Sequence, residues 1–162
     1  MPADTNKGTY ILWLHVAVTA CVRVGRLGSF AFPAGWYAYV GSAMGPGGLQ
    51  GRLRHHFAPI RCPHWHIDFL RQVAISKEAW IIIDGTSYEH RWASLLRDMP
   101  GASIPVRRFG ASDCHCEAHL FYFIDQPDFA VFRGQSARAS PETGAVYLVA
   151  LTNILNNYSR YC

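Results

Sequence analysis

The sequence predicts an α+β fold with a small, mainly antiparallel three-stranded sheet flanked by helices, followed by a C-terminal extension. Three strand-like segments follow one another over residues 8–41 with short connections, which is typical of antiparallel strands. Helical spacing of apolar residues starts only after the breaker Gly45-Pro46-Gly47-Gly48. The length of 162 residues suits one main core.

The three predicted strands differ in pattern. Residues 8–18 form a long apolar run, and residues 21–24 form a short one in which Val22 and Val24 share a face. After the turn region 25–35, residues 36–41 form an aromatic strand.

Most of the elements predicted after residue 48 are helices. Leu49, Leu53 and Phe57 have helical spacing that stops at Pro59. A second helix is predicted over 64–74 and a third over 88–97. A buried strand is predicted at 80–83, and residues 100–113 are predicted to be irregular. Another strand is predicted at 119–124.

The character of the sequence changes after residue 124. Residues 133–144 are rich in Gly, Ser, Ala and Pro and resemble a linker, and the apolar segment 146–155 has no clear period. We therefore expect a main domain over 1–124 and a linker with an appendage over 125–162.

Composition excludes several classes of protein. Hydrophobic residues make up 50% and charged residues 16%, which is not the composition of a disordered chain. No uncharged apolar stretch approaches the length of a membrane span, and the N-terminus lacks the pattern of a secretory signal, so we expect a cytoplasmic protein without membrane contact. Five unevenly spaced cysteines favour reduced thiols or metal ligands over a disulfide framework.

Basic residues are concentrated between positions 52 and 71. This segment contains four arginines and one aspartate, and the whole chain has a net charge of +4. Such a segment can attract an anion, although a solvated helix face would have the same composition.

Several residues have side chains suited to phosphate chemistry. Arg52 and His56 are four residues apart on one helix face and can approach one phosphate together. Tyr10 and Tyr39 lie in strands close to glycines, where tyrosines usually pack, and Glu89 opens a helix, where an acid usually offsets the dipole.

The order of these residues resembles the GIY-YIG nuclease superfamily, and in particular its Uri-like branch of largely uncharacterised function. The resemblance covers about residues 8–124. The similar strings are Gly8-Thr9-Tyr10, Tyr37-Ala38-Tyr39-Val40-Gly41-Ser42-Ala43, Gly48-Leu49 with Arg52 to His56, His64-Trp65-His66-Ile67-Asp68-Phe69-Leu70, Glu89-His90-Arg91-Trp92-Ala93, and Phe109-Gly110 through Cys114, Cys116 and His119-Leu120.

This resemblance implies a divalent-metal-dependent endonuclease. Tyr10 or Tyr39 would take a proton from the attacking water, and Arg52 would hold the phosphoryl oxygens. His56 would orient a tyrosine or relay a proton. Glu89 would hold Mg²⁺ or Mn²⁺.

The expected partner is a nucleic acid, with DNA favoured over RNA. Arg54, Arg61, Arg71 and His55 would follow its phosphate backbone without reading sequence.

A separate cluster of soft metal ligands occurs late in the chain. Cys114, Cys116 and His119 fall within six residues and suit Zn²⁺, with Cys62, His64 or His66 as a fourth ligand. Buried free cysteines beside a core histidine are the alternative. His64, His66 and Asp68 would serve the site directly or pack beneath it.

Three functions therefore remain open from the sequence. The first is a metal-dependent nuclease. The second is a non-catalytic nucleic-acid-binding module, with or without a structural zinc. The third is an interaction or sensor domain that uses the Cys/His cluster.

Overall fold

The computed structural model describes residues 6–152. Within these residues the elements are β1 (Gly8–Val16), β2 (Ala20–Val24), β3 (Gly28–Phe32), β4 (Gly35–Ala43), α1 (Gly48–Phe57), α2 (His66–Leu70), β5 (Ile75–Ile83), α3 (Glu89–Asp98), β6 (Leu120–Phe123), α4 (Phe129–Ala139) and β7 (Val146–Ala150). The predicted α+β class and antiparallel sheet are confirmed.

The predicted three-stranded sheet is wrong in size and membership. The main sheet has five strands in the order β6-β4-β1-β5-β7, and every neighbouring pair is antiparallel. Strand β2 pairs only with β3, in a separate two-stranded ribbon. Strand β1 is buried on both faces, so it takes the central position and uses both of its edges for pairing, with β4 and β5.

The main sheet separates two apolar layers. On one face, Leu12 and Leu14 pack with α1, α2 and the β2–β3 ribbon. On the other face, Trp13 and Trp80 pack with α3 and α4. Both faces of the sheet are therefore covered by apolar layers, and a site can form only at the ends of the strands.

The described part of the predicted appendage belongs to this layered fold. Residues 129–139 form α4 where part of the linker is predicted, and Asp128 caps this helix by accepting hydrogen bonds from the Ala130 and Val131 N–H groups. Strand β7 pairs with β5 at the edge of the main sheet. The last part of the predicted apolar segment, 153–155, lies outside the described residues.

Phe132 shows how α4 is held to the sheet. Its ring is fully buried, with its centroid 5.3 Å from that of Trp80 and 5.2 Å from that of Trp92. The linker interpretation is wrong for residues 133–139, which are helical because tertiary packing stabilises α4 although Gly134 and Ser136 interrupt its apolar pattern. Residues 140–144 do connect α4 to β7.

The segment from α4 to β7 should therefore unfold together with the rest of the fold. Replacing Phe132 by Ala should lower the free energy of unfolding by about 3–5 kcal/mol, because it empties a filled position against two tryptophans. The matched control Val131→Ala lies on the same helix but is 50% exposed, and it should change the value by less than about 0.5 kcal/mol. Urea titration of both variants measures this, and equal small effects would mean that α4 is an independent appendage.

Candidate functional site

The two tyrosine segments meet at one end of the main sheet. The β1–β4 register sets Tyr10 opposite Gly41 and Thr9 opposite Ser42. Tyr10 and Tyr39 both belong to the face covered by α1, and their ring centroids are 6.5 Å apart. Residues that are distant in sequence are therefore neighbours because of strand pairing.

A glycine is required at position 41 to accommodate Tyr10. A Cβ atom at Gly41 would overlap the hydroxyl and ring of Tyr10, which lies across from it in the register. The Tyr-Val-Gly segment of β4 thus supplies both a tyrosine and the space that the other tyrosine occupies.

Thr9 attaches helix α3 to this same end of the sheet. Its side chain is fully buried, and its hydroxyl oxygen accepts a 2.9 Å hydrogen bond from the Tyr88 N–H, just before α3 begins. Because Glu89 is the first residue of α3, this bond positions the carboxylate at the strand ends.

Tyr10 and His56 form a buried pair between β1 and α1. The Tyr10 hydroxyl lies 2.7 Å from His56 Nε2. Burial raises the pKa of Tyr10 well above its usual value, and the nearby Tyr39 adds to the rise. Burial lowers the pKa of His56 to about 3, with the charges of Arg71 and His55 adding to the effect, so this imidazole is neutral at physiological pH.

The proton of neutral His56 is best placed on Nε2. His56 Nδ1 is buried and has no hydrogen-bond partner among the described residues. An unpaired buried N–H is rarer than an unpaired acceptor, so Nδ1 suits a lone pair. The Nε2–H then donates to the Tyr10 oxygen.

Tyr39 occupies a more open position than Tyr10. Part of its surface is exposed, and its hydroxyl has no hydrogen-bond partner within residues 6–152. The hydroxyl is nevertheless surrounded by protein, and this burial raises the pKa of Tyr39. Glu89 adds to this rise and Arg52 opposes it.

Arg52 is held by stacking and keeps its donors available. Its guanidinium carbon lies 4.4 Å from the centre of the Trp65 ring, and no hydrogen bond or ion pair engages it in the described part of the chain. Its charge opposes the rise in pKa of both Tyr10 and Tyr39, which places all three in one electrostatic environment.

Glu89 is the acid of the site. Ser42 Oγ donates a 3.0 Å hydrogen bond to its Oε2, and His119 Nδ1 lies 2.9 Å from its Oε1. Burial alone would raise the pKa of Glu89, but the contacts with His119 and Ser42 outweigh burial and hold it below its usual value. The carboxylate is therefore ionised at neutral pH, with 22% of its side chain exposed.

Asp68 supports the site from beneath. Its fully buried carboxylate accepts hydrogen bonds from the His64 and Trp65 N–H groups and lies 2.8 Å from His55 Nε2. Burial raises its pKa, but the two backbone hydrogen bonds and His55 outweigh this and lower it overall. Asp68 thereby fixes the loop that carries Trp65, on which Arg52 rests.

Two of the predicted nucleic-acid contacts have structural partners instead. The side chain of Arg71 is only 7% exposed and donates hydrogen bonds to the carbonyl groups of His55 and Ala58. His55 binds Asp68. Arg71 is therefore not available to a phosphate backbone and His55 is already engaged. Arg54 and Arg61 are exposed residues, and their contact with nucleic acid stays a prediction.

The metal-ligand cluster has a different fourth member from those predicted. His90, Cys114, Cys116 and His119 each offer a ligand atom, and these atoms all lie within 4.8 Å of one another. Cys62, His64 and His66 are not in this group. His66 Nδ1 instead accepts a 3.0 Å hydrogen bond from the Gly110 N–H.

The sequence did not identify His90 or Ser42 as members of the site. Both flank positions that it did identify, because His90 follows Glu89 and Ser42 follows Gly41. The proximity of His90 to the cysteines depends on how the loop before β6 returns to α3. Local spacing cannot give that information.

The sequence of the chain matches the model of one protein family. It belongs to the family described as domain of unknown function DUF123, whose sequence model matches residues 9–138. This range includes Tyr10, Arg52, Glu89 and the Cys/His cluster. No curated protein and no solved structure matches the chain.

None of the helices within residues 6–152 is long and apolar enough to cross a membrane.

Acid should destabilise the fold partly through His56. Its pKa is 6.5 in a model peptide and about 3 in the folded chain, so between these values the unfolded chain binds a proton that the folded chain does not. The free energy of unfolding therefore has its full value above about pH 6.5. It falls as the pH is lowered toward 3, by at most about 1.4 kcal/mol per pH unit.

Urea titrations between pH 7 and pH 4 measure this contribution. The free energy of unfolding should fall less steeply for His56→Gln than for the wild type. The exposed control His115→Gln should follow the wild type. Parallel curves for His56→Gln and the wild type would contradict the assignment of a buried neutral imidazole.

Proposed function

We propose that this chain is a divalent-metal-dependent phosphodiesterase that cleaves nucleic acid by attack of an activated water. The observation that carries the proposal is the grouping of an unpaired guanidinium, an ionised carboxylate and a hydrogen-bonded Tyr–His pair at one end of the sheet. The resemblance to the GIY-YIG superfamily supports the same roles for these residues.

Arg52 would bind the scissile phosphate. A guanidinium presents a planar fork of donors that matches two phosphate oxygens, and stacking on Trp65 fixes the plane without using any of these donors. Arg54 and Arg61 would contact neighbouring phosphates from the exposed surface. Such contacts carry no sequence information. DNA is the first substrate to test, and RNA belongs in the same panel.

Tyr10 is the better candidate for the general base. His56, with its proton on Nε2, donates to the Tyr10 oxygen, and this donor would offset part of the rise in pKa that burial imposes, so that the phenolate can form and accept a proton from water. The charge of Arg52 acts in the same direction. Tyr39 lacks such a donor among the described residues, and its partly exposed side chain suits contact with the substrate.

Glu89 fits the role of a Mg²⁺ or Mn²⁺ ligand. It is ionised, and each oxygen retains lone-pair capacity beyond its contact with Ser42 or His119. These cations are commonly held by one or two carboxylates together with waters and substrate phosphates. A cation bound here would neutralise charge developing on the phosphoryl and leaving oxygens.

Cleavage of labelled single-stranded, duplex and branched DNA and RNA in Mg²⁺ or Mn²⁺ tests the proposal. Glu89→Gln, Arg52→Ala and Tyr10→Phe should each lower the cleavage rate by about 100-fold or more, because each removes transition-state stabilisation or proton transfer. The matched exposed controls Glu142→Gln, Arg138→Ala and Tyr147→Phe should cleave like the wild type.

A different outcome would favour the non-catalytic nucleic-acid-binding module. In that case no substrate is cut, and salt-sensitive binding is weakened by Arg52→Ala but unchanged or strengthened by Glu89→Gln. Strengthening would follow from the loss of a negative charge beside the phosphates. Cleavage that persists in all three variants would place the active site elsewhere.

A further inference from the structure

The Cys/His cluster borders the site but has no part in the chemistry proposed above. We propose that His90, Cys114, Cys116 and His119 bind one structural Zn²⁺, and that Glu89 supports His119 from outside this centre. The four ligand atoms come from two places in the fold, the first turn of α3 and the loop before β6. A bound ion would therefore tie these two elements together.

The donor set selects zinc over the harder cations. Two thiolates and two imidazoles form a common tetrahedral zinc site, whereas Mg²⁺ and Mn²⁺ prefer oxygen ligands. Zinc–ligand bonds of about 2.0–2.3 Å imply ligand–ligand separations of about 3.3–3.8 Å in a tetrahedron. Cys114 Sγ and His119 Nε2 are already 3.4 Å apart. The remaining atoms lie within 4.8 Å of one another, and His90 is an exposed side chain that can rotate to close this gap.

The loop that carries the two cysteines is shaped by a residue outside the cluster. Arg108 donates 2.6 Å hydrogen bonds to the carbonyl groups of both Cys114 and Cys116. Its own backbone has a φ of 66°, a left-handed conformation that is uncommon for a residue with a side chain. Its guanidinium also brings positive charge to the loop that must present two thiolates.

The contact between His119 and Glu89 completes the arrangement. His119 faces Cys114 with Nε2 and Glu89 with Nδ1. Coordination through Nε2 leaves the proton on Nδ1, which lies 2.9 Å from Glu89 Oε1, and a small rotation of the carboxylate would align the two for a hydrogen bond. The result would be the carboxylate–histidine–metal arrangement that orients a metal-bound imidazole. Zinc would thereby also fix the position of the Glu89 carboxylate.

Metal analysis of the full chain, purified with a reductant and without chelators, tests the proposal. We expect about one zinc per chain. After removal of the zinc, Co²⁺ should bind with tetrahedral d–d bands and a thiolate-to-cobalt charge-transfer band. The readout is independent of cleavage, so it does not depend on the proposed nuclease activity.

Single substitutions identify the ligands. Cys114→Ser, Cys116→Ser and His90→Ala should each lose zinc or bind it much more weakly. Cys62→Ser and His115→Ala are matched controls outside the cluster and should retain about one zinc per chain. Glu89→Gln should weaken zinc binding by about 10-fold in competition with a chelator, because it removes the partner of His119.

His90→Cys separates ligation from misfolding. It replaces one ligand by another, so it should retain the metal and increase the intensity of the Co²⁺ charge-transfer band by about half, since three thiolates replace two.

Three results would overturn the site: absence of zinc together with no charge-transfer band on adding Co²⁺, zinc binding by His90→Ala equal to the wild type, or a Cys114–Cys116 disulfide in fresh protein that holds no metal. Unchanged affinity in Glu89→Gln would overturn the supporting role of Glu89.

Discussion

The central position of β1 is the constraint on which the rest of the structure depends. Both of its edges are paired and both of its faces are buried, so consecutive residues at its start must serve opposite layers. Tyr10 faces α1 and bonds His56, while Thr9 holds the start of α3 through the Tyr88 N–H. One strand end therefore brings together side chains from both sides of the sheet, which neither layer could supply alone.

Burial and charge act against each other in this site. Burial raises the pKa of Tyr10 and Tyr39 and keeps His56 neutral. Arg52 partly offsets the rise in both tyrosines, and Glu89 remains ionised because His119 and Ser42 contact its carboxylate. The result is a weakly hydrated phenol beside one cation and one anion, an environment in which added charges interact strongly. A phosphate and a divalent cation would each meet a group of opposite charge there.

The sequence predicted the strand or helix that carries each candidate residue better than it predicted how those elements are arranged. Tyr10 lies on the predicted strand, and Arg52 and Glu89 lie on the predicted helices, because the local apolar pattern defines each of these elements. The membership of β5, β6 and β7 in the main sheet could not, since strand order depends on long-range packing. Arg71 and His90 illustrate the same limit: one is removed from the surface by carbonyl groups on a neighbouring helix, and the other meets cysteines through a loop that returns from far along the chain.

The most direct measurement is anomalous X-ray diffraction from crystals of the protein containing Mn²⁺ and a short oligonucleotide with a cleavage-resistant phosphorothioate linkage. We expect a manganese peak against the carboxylate of Glu89, with oxygens of the modified phosphate within hydrogen-bond distance of the Arg52 guanidinium and the Tyr10 hydroxyl facing the phosphorus. An oligonucleotide bound on another surface, or manganese bound away from Glu89 while the phosphate occupies this site, would contradict it.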